Sequence, residues 1–286
     1  MSAVGFAGLG NIGKAMATRL VDRPGGLLVF DIASEPVAQL CAAGAKVARD
    51  VAELAAQVDL LCVMVRDDDQ VRSVLAEVLP AARDGLVVAV HSTIAPGTPA
   101  ELAEQAAEHG VALVDAPVSG GPMGAADGSL AIMVGGPETA FATCAEPFGR
   151  MGGQVVHAGP IGAGTRMKLA RNLLHFASFT AAAEAQRLAE AAGLDLVELG
   201  RVVRHTDGIT GGPGAIMHRD TAAPLADGDP WVGIFEHVRA LGEKDLRFAI
   251  ELARELGVDV PLARHALTGL GPGLGLSAPP APPREQ

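Results

Sequence analysis

Lys168 and Asn172 stand four residues apart in GTRMKLARNLLHFASFTAAAEAQRLAEAA, a stretch that reads as one helix from Gly164 to about Ala192, stopped by Gly193. At that spacing both side chains project from one helix face, and His175 continues it. Around them lie Leu169, Leu173, Leu174, Phe176 and Phe179, so the forward half is apolar nearly all round, as a helix buried between two domains needs. An ammonium and an amide that merely solubilised the helix would sit on its charged rear half, near Glu184, Arg187 and Glu190. The bland alternative is a lysine whose stem packs and whose head snorkels to water.

Composition sharpens that reading. The chain holds 22 basic residues, yet its lysines are Lys14, Lys46, Lys168 and Lys244, with arginine supplying the rest. A lysine amine can be brought to exchange a proton near neutrality, whereas a guanidinium stays charged. The chain has no tyrosine, which excludes a tyrosine acid–base. If the chemistry is redox, a lysine or a histidine must move the proton.

A second constellation opens the chain. The apolar run Val4-Gly5-Phe6-Ala7 enters Gly8-Leu9-Gly10-Asn11-Ile12-Gly13, and a helical stretch follows from Lys14 to Val21. A G-x-G-x-x-G is weak evidence alone, but between a strand and a helix it lets a pyrophosphate approach the helix N-terminus. The next strand, Leu27–Phe30, ends in Asp31, 18 positions beyond Gly13 and near the spacing at which a carboxylate meets the adenosine ribose.

Strands and helices then alternate: a helix near 35–43, another near 51–56, a buried strand over 59–65, a helix opened by Asp67-Asp68-Asp69, and a strand over 86–90. A helix near 99–108 and a strand over 111–115 follow. The triple acid reads as first-turn carboxylates complementing a helix dipole rather than as a cation site. This alternation predicts an α/β fold, a Rossmann-type doubly wound sheet with ligands at the carboxyl ends of its strands. Val65-Arg66 and Thr93 fall at that edge. The stretch Asp115 to Gly136 reads as a strand end opening into a glycine-rich loop before a strand over 129–134, and Ser119, Gly120 and Gly121 there offer a hydroxyl and open backbone N–H groups to an anionic oxygen. A helix near 138–148 and a strand over 154–156 close the sheet domain.

Beyond Gly193 the pattern is helical, over 195–206, 231–236 and 243–256, with Lys244 opening the last of these. The expected domains are 1–162, a nucleotide-binding sheet domain; 163–192, a long interdomain helix; 193–270, an all-helical domain; and 271–286, a proline- and glycine-rich disordered tail. A net charge of −11 argues against a nucleic-acid surface, and no apolar run is long enough to span a membrane. Three cysteines without a C-x-x-C spacing and scattered histidines predict reduced packing thiols and no metal. A cytoplasmic protein is expected.

Four blocks taken together resemble the β-hydroxyacid dehydrogenase family, and most closely its 3-hydroxyisobutyrate dehydrogenases: GFAGLGNIGKAMATRL, DAPVSGGPMGAADGSLAIMVGG, GPIGAGTRMKLARN and KDLRFAIELARELGVDVPL. The resemblance implies an NAD cofactor, a small hydroxy-acid or semialdehyde substrate and a homodimer or homotetramer. Carried over by motif, Lys168 is the proton-transferring lysine and Asn172 a substrate-holding amide. Ser119, Gly120 and Gly121 grip the substrate carboxylate. Gly8, Leu9, Gly10, Asn11, Ile12, Gly13, Asp31, Ile32, Val65 and Arg66 hold the cofactor, with Thr93 and Lys244 against its nicotinamide half. Two departures stand out: Val65-Arg66 occupies the place of the family's common Leu-Pro, and HTDGITGGPGAIMHRD (205–220) differs from the segment that helps close the pocket. The family also holds tartronate, glyoxylate and succinic semialdehyde reductases, and imine reductases, whose counterpart of Lys168 is typically an aspartate or tyrosine. A dinucleotide-binding module without turnover would have no need of both Lys168 and Asn172.

Overall fold

In the computed structural model, which describes residues 3–276, the first half of the chain alternates strand and helix. The order is β1 (Val4–Ala7), α1 (Asn11–Thr18), β2 (Leu27–Phe30), α2 (Ser34–Ala42), β3 (Lys46–Val47), α3 (Val51–Gln57), β4 (Leu60–Val63), α4 (Asp68–Val78), β5 (Val87–Val90), α5 (Thr98–Ala107) and β6 (Ala112–Asp115). These strands lie in the order β3-β2-β1-β4-β5-β6, and every pair is parallel. β1, β4 and β5 are buried on both faces, which is why they read as unbroken apolar runs rather than alternating ones. One core cluster gathers Phe6, Met16, Val29, Cys62 and Phe148, and the other Leu54, Leu61, Val63, Leu75 and Leu102. Strand order reverses between β1 and β4, so the loops leaving those strands diverge and open a crevice at the carboxyl edge. The triple acid is structural: Asp67 caps α4 by accepting from Gln70 N, and Asp68 accepts from Ala95 N and Thr98 Oγ1.

The stretch expected to be a glycine-rich loop holds β7 (Val118–Ser119) and a short helix, α6 (Gly121–Asp127), before β8 (Leu130–Gly135). Its glycines masked a helix that Pro122 starts and Gly128, at φ 70°, ends in a left-handed cap. β8 runs antiparallel to β6 and β7, and after α7 (Glu138–Met151) the chain returns as β9 (Gly152–Gly159), parallel to β8.

The long helix, α8, spans Ala163–Ala191. Contacts divide the chain inside it: the first unit reaches Asn172 and the second begins at Leu173, so the helix is not a segment of its own. Its apolar forward half is not buried in this chain. Leu173 is 74% exposed, and Leu169, Leu174, Phe176 and Phe179 are exposed with it, while Gly164, Thr165 and Lys168 are buried. Apolar composition states that a face needs cover, not that the same chain supplies it. The rear half also differs, since Glu184 is buried and its carboxylate accepts from Leu262 N at 2.8 Å and Ala263 N at 3.0 Å.

The second unit is helical, with α9 (Leu196–Thr210), α10 (Trp231–Glu255) and α11 (Pro261–Gly273). The stretches expected as two helices from Trp231 to Leu256 are one. α11 runs into the expected tail, and Leu274 and Leu276 pack with Phe235 in the unit's apolar cluster, so 271–276 is helix end and core rather than tail. Position 277 onward lies outside the described residues.

Candidate active site

The β1–α1 turn is built by clashes that only glycine avoids. Gly8 sits at φ +93°, and a Cβ there would run into the Met64 carbonyl; a Cβ on Gly13 would overlap the Gly8 carbonyl. A Cβ on Gly10 would meet nothing within 4 Å, because that glycine faces open space. Among the described residues no side chain caps α1, which leaves its first N–H groups free for an anion. In front of them lies a groove of about 660 Å³, lined by Gly8, Gly10, Asn11, Ile12, Gly13, Asp31, Ile32, Val65 and Arg66, with Gln70, Ser73 and Glu77 of α4 on its far wall. A backbone cradle at a helix start, followed by an acid at the next strand end, fits a dinucleotide.

Two details refine the expected cofactor residues. The Asp31 carboxylate already braces the turn: Oδ2 accepts from Leu9 N at 2.5 Å and Oδ1 from Ala33 N at 2.7 Å. Each oxygen has a further lone pair for a ribose hydroxyl. Leu9 itself does not line the groove, since its side chain is buried in the core and its N–H is turned to Asp31. Val65 is held in place by Ser92, whose hydroxyl donates to Val65 O at 2.7 Å and accepts from Val65 N at 3.0 Å. Thr93 follows β5 at the same sheet edge and is exposed, outside the groove lining.

Lys168 is 8% exposed, and its Nζ donates to Ser119 Oγ at 3.3 Å. The contact joins α8 to the strand end that leads into Gly120 and Gly121, whose φ values of 132° and 62° suit glycine. Burial, and then the nearby Arg171 charge, hold the Lys168 amine below the usual lysine range. Asn172 lies one turn on, half-buried, and its Oδ1 accepts from Arg171 Nη1 at 3.3 Å. Lys244 lies on α10 in the second unit, its Nζ 3.2 Å from Asp245 Oδ1. His175 also belongs to the second unit, its ring tilted against Phe179 at 4.3 Å.

Two contributors escaped the sequence reading. Asp115, fully buried at the end of β6, accepts from Gly162 N at 2.7 Å and Thr165 N at 2.5 Å, which fixes the start of α8 one turn before Lys168. Burial pushes its carboxyl upward against those hydrogen bonds. A Cβ on Gly164 would overlap the carbonyls of Met133 and Asp115, so the helix start is pressed on the sheet edge. The signal was an acid in an otherwise apolar strand end. Arg171 was the other, three residues after Lys168 and therefore on a neighbouring part of the same helix surface.

A glycine cradle at a helix start, an acid at the next strand end and a buried amine on α8 suit a dehydrogenase that uses a nicotinamide dinucleotide. Residues 3–159 match the family described as the NAD binding domain of 6-phosphogluconate dehydrogenase. Residues 162–269 match that described as the NAD-binding of NADP-dependent 3-hydroxyisobutyrate dehydrogenase. An uncharacterized oxidoreductase of Mycobacterium tuberculosis is 51% identical, over 99% of this chain and 97% of its own. The crystal structure of a putative oxidoreductase from Mycobacterium avium superposes with a TM-score of 0.94 at 50% identity, covering 97% of this chain and all of that one. An NAD-dependent L-serine dehydrogenase of Pseudomonas aeruginosa is 34% identical over 94% of this chain and 91% of its own. The chain belongs to the β-hydroxyacid dehydrogenase family of NAD(P)-dependent oxidoreductases.

Proposed function

We propose that this protein is an NAD-dependent dehydrogenase that interconverts a short 3-hydroxy acid, of the 3-hydroxyisobutyrate kind, and its semialdehyde. The observation that carries this reading is the buried Lys168 amine in contact with Ser119, its proton affinity lowered by burial and by a neighbouring cation. In the oxidising direction neutral Lys168 Nζ accepts the hydroxyl proton of the substrate, and the carbon–hydrogen bond breaks to leave a carbonyl. In reverse its ammonium returns the proton to the carbonyl oxygen. The nicotinamide, when bound, takes up or supplies the hydride. Ser119 and the backbone N–H groups of Gly120 and Gly121 hold the carboxylate, and the Asn172 amide orients the substrate oxygen. Gly8, Gly10, Asn11, Ile12 and Gly13 hold the pyrophosphate, Asp31 and Ile32 the adenosine ribose, and Val65 and Arg66 the adjoining wall. Leu9 serves through the N–H that orients Asp31, and Thr93 and Lys244 face the nicotinamide half. The relative named for L-serine, itself a 3-hydroxy acid, supports the substrate class.

The protein acts as a homo-oligomer on this reading. Leu173, Phe176 and Phe179 on α8, with Val197, Val202 and Ile209 on α9, are exposed large apolar residues that a second copy would cover. Light scattering at micromolar concentration should give at least a dimer mass, and a monomer would contradict it.

The activity is tested by a panel of 3-hydroxyisobutyrate, L-serine, other 3-hydroxy acids and 2-hydroxy acids, with NAD reduction followed by absorbance. Turnover should be confined to 3-hydroxy acids. Bound NAD without turnover of any of them would leave a dinucleotide-binding module instead.

A further inference from the structure

β4 ends at Val63, and the backbone bonds that close its ladder run from His91 N to Val63 O at 2.8 Å and from Met64 N to Ala7 O at 2.9 Å. Val65 is the first residue past them, and a backbone that has left its ladder needs other partners. Ser92, just beyond β5, serves both of its polar groups: one hydroxyl, on a residue 2% exposed, donates to Val65 O at 2.7 Å and accepts from Val65 N at 3.0 Å. That hydroxyl does for Val65 what a neighbouring strand would do. Val65 in turn walls the groove and stands against the glycine turn, since a Cβ on Gly8 would lie 3.1 Å from Val65 Cγ1.

Strand order decides which part of a dinucleotide meets that wall. Asp31, on the adenosine ribose, follows β2, and the uncapped start of α1, on the pyrophosphate, follows β1. β4 and β5 lie on the opposite side of β1 from β2, so the half of the dinucleotide beyond the pyrophosphate runs over Val65. The other two contacts are held without Ser92. Gly8 N donates to Phe30 O at 3.1 Å, and the Asp31 carboxylate accepts from Leu9 N and Ala33 N.

We propose that Ser92 is a positioning residue for the nicotinamide half of the cofactor: by clamping both backbone groups of Val65 it fixes the wall on which that half rests. Ser92 does not line the groove, and it acts through Val65. The proposal rests on the dinucleotide reading of the groove and adds what sets one side of it.

Ser92→Ala in the full chain removes the clamp and leaves the adenosine side untouched. Calorimetric titration with NAD and with ADP, which carries the adenosine and the diphosphate but no nicotinamide nucleoside, separates the two halves. Kd for NAD should rise about fivefold or more, the scale set by losing one or two neutral hydrogen bonds, while Kd for ADP stays within about twofold of wild type. An unchanged Kd for NAD overturns the proposal. Equal weakening of NAD and ADP also overturns it and makes Ser92 a residue of the fold alone. The wild-type titrations test the reading beneath: a wild-type protein that binds neither nucleotide removes the dinucleotide groove and the proposal together, whereas one that binds NAD as tightly as its Ser92→Ala variant removes the proposal only.

Discussion

The Ser119 hydroxyl and the Lys168 ammonium, 49 positions apart in the sequence, meet at 3.3 Å across the junction of β7 and α8. The contact depends on Asp115, which holds the helix start against the sheet edge, and on Gly164, which lets it come close. Lys168 is thus positioned by strand ends rather than by its own helix alone.

The proposed preference for NAD rests on Asp31. A carboxylate at the ribose accepts from its hydroxyls and opposes a 2′-phosphate, a like-charge clash that can cost several kcal/mol. The specificity constant with NAD should exceed that with NADP by about tenfold or more. Asp31→Ala should narrow the ratio and also weaken NAD binding, because Leu9 N and Ala33 N lose their acceptor. Equal efficiency with the two cofactors in wild type would contradict the assignment.

His91 makes the fold acid-sensitive. It is buried between Phe6 and Phe148, its Nδ1 lies 2.8 Å from Ala116 O, and its Nε2 has no hydrogen-bond partner among the described residues. Burial lowers its pKa from 6.5 to about 4. Between those values the unfolded chain binds a proton that the folded one refuses, so stability falls as pH drops from 6.5 towards 4, by about 3 kcal/mol at the lower end. Urea midpoints measured from pH 7 to 4.5 should show the fall, and His91→Gln should flatten it. A slope unchanged in that variant would place the acid sensitivity elsewhere.

In the second unit Glu184 performs a cap's work from another helix, taking the first N–H groups of α11. Glu184→Ala should leave two half-buried donors without their carboxylate partner and lower stability by about 1–3 kcal/mol, read as a shift of the urea midpoint at constant slope. A change within a few tenths would mean that water replaces the carboxylate.

Legibility in the sequence tracked how local each signal is. The strands β1 and β2 and the span of α8 stand where apolar runs, glycine and the helical period put them, and the G-x-G-x-x-G turn is legible because backbone geometry restricts what can stand there. What escaped was nonlocal or compositional. Asp115 acts on backbone groups 47 and 50 positions away. α6 hid among glycines, and β3 is two residues that pair with β2. The exposed face of α8 shows the limit of a pattern, since the apolar run through Phe176 and Phe179 says that a face favours cover and not what covers it.

The central claim is that Lys168 moves the proton, and Lys168→Arg tests it most directly. Arginine keeps the charge and most of the stem but cannot release a proton near neutrality. Steady-state turnover of the variant with saturating NAD and hydroxy acid should fall by on the order of 10²–10⁴, with NAD binding close to wild type and the ionisation that limits the wild-type rate missing from the pH profile. A variant that turns over within a few-fold of wild type, its pH profile intact, would contradict the account and make Lys168 a packing residue.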